Sequence, residues 1–123
     1  MLEFENIDIE AVEKVKKVLD DAGIKHSSLF WDENKQSKKP STYAVYRVDG
    51  EIDRIPSNDT SEVDETEIVL SVFTTSQFFR SLRKALKSKL ISEGFSISQG
   101  FEEKEKDTKY YRFDLELKIY KEG

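Results

Sequence analysis

TKYYRFDLELKIY, residues 108–120, alternates apolar and polar side chains almost without fault, and that alternation decides the fold. A period of two marks a strand buried on one face only. Tyr111, Phe113, Leu115, Leu117 and Ile119 share one side, while Tyr110, Arg112, Asp114, Glu116, Lys118 and Tyr120 share the other. The apolar row needs a cover, and the chain offers two amphipathic helices to supply it. Immediately before this strand, the charged run EEKEKD (102–107) reads as the tip of a hairpin. Its first arm is FSISQGF (95–101), with Phe95, Ile97 and Phe101 about an irregularity at Gly100.

Further upstream, QFFRSLRKALKSKLISEG (77–94) has helical spacing, with Phe79, Leu82, Leu86 and Leu90 as its stripe, joined by Phe78, Ala85 and Ile91. Ser76 suits its N-cap and Gly94 its stop. TEIVLSVFTTS (66–76) and TYAVYRVDG (42–50) are rich in β-branched and aromatic residues and read as strands. In the first, Ile68, Leu70 and Val72 share a face; in the second, Ala44, Tyr46 and Val48 are expected inward, opposite Tyr43, Val45 and Arg47. Residues 8–22 repeat apolar positions at spacings of three and four, with Asp8 as N-cap and Gly23 beyond the end. IKHSSLFW (24–31) fits a short strand, and DENKQSKKPST (32–42) an exposed loop.

The expected architecture is a single two-layer α+β domain over residues 1–123. Its sheet is mainly antiparallel, of about four to five strands, with two helices packed on one face and the other face polar and wet. A long final strand at a sheet edge would be a pairing hazard unless charge or a partner covered it.

Composition narrows the function. The 123 residues carry 20 Lys and Arg against 25 Asp and Glu, a net charge of −5, which disfavours a general nucleic-acid binder. No cysteine is present, so disulfides and thiolate metal sites are absent. The single histidine, His26, has no nucleophile or catalytic carboxylate assigned to it, and no phosphate-binding or nucleophile-elbow motif occurs. The N-terminal sequence lacks a basic, apolar leader pattern, so synthesis in the cytoplasm is the expectation. Neither an enzyme nor a cofactor is expected.

Two oppositely charged segments remain. EIDRIPSNDTSEVDE (51–65) holds six acids and one arginine without the spacing or glycine of a calcium loop. Arg80, Arg83, Lys84 and Lys87 form a basic stripe on the second helix, which as a bland reading is only its solvent face. Copies pairing loop to helix, head to tail, would close into a ring where the rotation allows. Tyr110 and Arg112, on the outer face of the last strand, are residue types enriched at interfaces.

TYAVYRVDGE, the acidic insertion after it, TEIVLSVFTTS, a helix ending EGF, and EKDTKYYRFDLELKIY together resemble the tail terminator (tail completion, head–tail joining) proteins of siphophages and prophages. The resemblance runs from about Ile9 to Tyr120. It implies a non-enzymatic virion protein at the tail–head junction. Such a protein forms a ring, commonly hexameric, that stops tail-tube polymerisation and meets the head connector. Its partners would be itself, the tube protein and the connector protein, with no membrane and no sequence-specific nucleic acid. The contact residues expected are Glu51, Asp53, Arg54, Asp59, Glu62 and Asp64; Arg80, Arg83, Lys84 and Lys87; Glu103, Lys104, Glu105 and Lys106; and Tyr110 and Arg112. The alternative is a small α+β regulatory module that binds protein or RNA through the basic helix.

Overall fold

The computed structural model describes residues 6–28, 40–51, 63–105 and 108–122. Its elements in order are α1 (Asn6–Asp21), β1 (Lys25–Ser28), β2 (Thr42–Glu51), β3 (Val63–Thr74), α2 (Phe79–Ser92), β4 (Ser96–Lys104) and β5 (Tyr111–Glu122). This is the expected α+β class. One sheet of five strands packs its apolar face against both helices, and a single core joins them.

Both helices stop by the same device. After α1, Gly23 adopts φ +72°, the Ile24 N–H donates to the Leu19 carbonyl (2.9 Å) and the Gly23 N–H to that of Asp20 (3.0 Å). After α2, Gly94 adopts φ +102°, and Phe95 and Gly94 donate to Leu90 (3.1 Å) and Ile91 (3.0 Å). These are Schellman ends, in which glycine takes the left-handed position without a Cβ penalty and an apolar residue follows into the core. Ile24 and Phe95 are both buried. Lys14 crosses from α1 to donate to the Glu93 carbonyl (3.1 Å), placing a cation at the negative end of α2.

The helix starts differ from expectation. α1 begins at Asn6, so Asp8 lies inside it rather than capping it. Ser76 accepts the Phe78 N–H (3.0 Å) in the turn ahead of α2, and the helix itself opens at Phe79 with no side-chain cap. The buried stripe of α2 is also narrower. Phe79, Leu86 and Leu90 are buried, whereas Phe78 is 69% exposed and Ile91 56%.

Sheet order is β1-β2-β3-β5-β4. The long final strand is therefore interior, not an edge, and is paired along its length with β3 and, on its other side, with β4. β1 pairs with β2 in parallel, so the sheet is mixed; the 13 residues from 29 to 41 match the dozen or so that a parallel connection needs. Leu29, Phe30 and Trp31, expected in β1, lie outside the described residues.

The inner face follows the sequence pattern. Ile68, Leu70, Val72, Phe113, Leu115 and Leu117 are essentially inaccessible, with Val15 and Leu19 of α1 and Leu86 and Leu90 of α2 against them. Ala44 and Tyr46 of β2 join this core, while Val48 is 41% exposed. The outer face is less wet than alternation implies. Tyr43, Glu65 and Ser71 point to it, yet each is buried.

Gly100 lies at a bulge. Register runs from Gln99↔Leu115 to Glu102↔Phe113, so Gly100 and Phe101 together oppose Asp114. An extra residue on one strand reverses the side-chain parity beyond it. Phe101 is thereby sent to the outer face and Glu102 to the helix side. A Cβ on Gly100 would sit 1.8 Å from the Asp114 carbonyl oxygen, which is why no larger residue fits.

Candidate interaction surfaces

The basic stripe of α2 is partly answered from within the chain. Glu102, turned inward by the bulge, accepts from Arg80 (3.1 Å) on one carboxylate oxygen and from Arg83 on the other. The Arg80 hydrogen bond, with help from both positive charges, holds the Glu102 carboxyl below its ordinary value, against a smaller opposing cost of burial. Arg80 also lies over the Phe79 ring, 5.2 Å from its centroid. One turn on, Lys84 and Lys87 meet no carboxylate within 4.0 Å among the described residues. Together with Arg80, Arg83, Ser88 and Ile91 they line a shallow groove of about 560 Å³.

On the outer face, Arg112 is locked in place. Its Nε and Nη2 donate to the two oxygens of Asp114 (3.1 Å each), and its guanidinium lies 5.6 Å from the Phe73 centroid and 5.5 Å from that of Phe101. The Asp114 hydrogen bonds push the Arg112 pKa up, so its charge is fixed. Next to it, Tyr43 stacks on Phe73 (4.8 Å) and meets Tyr110 edge-on (5.3 Å), and the Tyr110 hydroxyl donates to the Pro40 carbonyl (2.7 Å). Tyr110 and Arg112 thus hold the sheet's outer face together. Farther along, Lys118 Nζ lies 3.4 Å from Glu67 and 4.0 Å from Glu65.

The structure separates the remaining expected contact residues. Glu51 pairs with Thr66, and Asp64 with Lys121, at the end of the sheet where β2 finishes and β3 starts. Glu103, Lys104 and Glu105 lie at the opposite end, where Lys104 sits over the Tyr111 ring (5.7 Å) and Glu105 accepts from the Thr108 hydroxyl (3.3 Å). α2 begins at that same end, since Phe79 stacks on Tyr111 (5.0 Å). The 12 residues of β3 keep the two ends roughly 37 Å apart. Asp53, Arg54, Asp59, Glu62 and Lys106 lie outside the described residues.

Sequence reasoning missed Glu102, Asp114, Phe73 and Phe101. The available signal was Gly100, because a glycine inside a strand pattern marks a bulge, and a bulge reassigns every later side chain. His26 bonds Asp20 at 2.9 Å, beside Tyr46, in a packing role. Among the described residues no three His, Asp or Glu side chains gather as a metal site, and no helix is long and apolar enough to cross a membrane. No protein-family model and no curated protein matches the chain.

Proposed function

We propose that this chain is a non-enzymatic phage tail terminator, a ring-forming protein at the tail–head junction that caps the tail tube and meets the head connector. The observation that carries this reading is the polarity of the domain. The acidic segment leaves and re-enters the sheet at one end, while the basic helix starts at the other. An acidic segment joined to the sheet at one end and a basic helix starting at the other favour a heterologous, head-to-tail contact, the kind that closes into a ring when the rotation allows. The sequence resemblance supplies the tube and the connector as the further partners, and a net charge of −5 suits a passage through which DNA slides without adhering.

The basic-helix regulator is the weaker reading for RNA. Glu102 occupies two of the four cations, and neutralising only two phosphates gives a salt slope of about −1.4 to −1.8 in log K against log salt, too shallow for a phosphate-led binder.

The test is negative-stain microscopy of the purified protein mixed with assembled tail tubes. Tubes should acquire a terminal ring and stop growing. Tubes that elongate freely and never carry a cap refute the proposal.

A further inference from the structure

The Arg80–Arg83 pair shows what this helix does with a carboxylate. Two cations three residues apart each take one oxygen of Glu102. Lys84 and Lys87 repeat that spacing one turn later, displaced by about 6 Å along the axis. The chain's own clamp is filled, and the next one has no carboxylate from the described residues. Apolar surface continues beyond it, since Ile91 is 56% exposed on the same groove.

We propose that this groove docks an acidic segment of a partner protein, with a carboxylate bridging Lys84 and Lys87 and an apolar side chain covering Ile91. Charge complementarity selects the occupant. Lysines are point charges that take a carboxylate without demanding the planar fork of arginine. An exposed isoleucine adjoining them gains by apolar burial, which a phosphodiester backbone does not offer. The site lies on the same basic helix that the head-to-tail reading uses, but its test uses the isolated protein and can succeed or fail whether or not tubes are capped.

The probe is a fluorescein-labelled peptide of repeating Glu-Glu-Leu, read by fluorescence anisotropy at low salt. Comparison ligands are the Gln-Gln-Leu peptide and a labelled oligothymidylate of similar length. The acidic peptide should bind, and K84E/K87E should weaken it by tenfold or more, roughly the effect of losing a good charge pair. K84Q/K87Q, which removes charge without reversing it, should fall between. I91S should weaken binding about threefold or more, the low end of what lost apolar burial costs. Circular dichroism confirms that each variant keeps its helices, and these side chains lie outside the core. Equal binding of the Gln peptide, tighter binding of the oligonucleotide, or unchanged affinity in K84E/K87E overturns the proposal. So does the absence of binding by wild type.

Discussion

Replacing Gly100 with alanine tests the bulge on which both surfaces depend. The new Cβ would lie 1.8 Å from the Asp114 oxygen and 2.6 Å from its carbonyl carbon. Carbon and oxygen approach no closer than about 3.3 Å in ordinary contacts, so the strands must part by about 1.5 Å. A hydrogen bond of ordinary length stretched that far is lost. Overpacking of this kind costs about 1–3 kcal/mol, and each forfeited ladder bond adds about 1 kcal/mol, so we expect a loss of about 3 kcal/mol. For a chain of this size that lowers Tm by about 9–15 °C. Gly23→Ala is the control. There the φ of +72° is strained for alanine, yet no atom lies within 4 Å, so about 1 kcal/mol is expected. Urea unfolding followed by circular dichroism measures both. Should Gly100→Ala cost no more than Gly23→Ala, the bulge is not held by that close approach and the reasoning fails.

Tyr110→Phe removes the hydroxyl that donates to Pro40 while leaving the ring against Tyr43, and the denaturation midpoint should fall by about 1 kcal/mol at constant slope. An unchanged midpoint would show that the bond adds nothing. Glu102→Gln should destabilise the protein at neutral pH by no more than about 1 kcal/mol, because Arg80 is 71% exposed and the pair is screened. The Glu102 carboxyl is depressed in the folded state, so its contribution is complete above the unfolded-state value and disappears as pH falls through the folded one. The gap between wild type and variant should therefore close on acidification; a constant gap across that range contradicts the assigned ion pair.

What the sequence makes legible is whatever depends on one segment alone. The glycines at 23 and 94 announce helix ends because only their own backbone angles matter. The row from Tyr111 to Ile119 faces the helices as its alternation requires. Strand neighbours are another matter: a period of two reports which face is buried, not which strand lies alongside. The interior place of β5 and the parallel pairing of β1 are accordingly invisible. Tyr43 looks like an outward residue and is one, yet Phe73 and Tyr110, from distant segments, bury it. Glu102 escapes notice for a subtler reason. Its neighbours Glu103 to Lys106 are charged as well, and only the parity reversal at Gly100 singles out Glu102 to meet α2.

The interior position of β5 also sets an order of events during synthesis. β3 and β4 both pair with β5, and among the described residues β4 has no other strand partner. Nearly half the sheet therefore stays unassembled until residues 111–122 have been made. At roughly 5–20 residues per second, the 48 positions that separate the end of β3 from the end of β5 take about 2–10 s to polymerise. Until β5 arrives, the edge of β3 with which it pairs is open to any other nascent copy. The chain would thus pass through a stage when pairing with another copy is available, and chains interrupted before Tyr111 should accumulate as aggregates rather than as partly folded monomers.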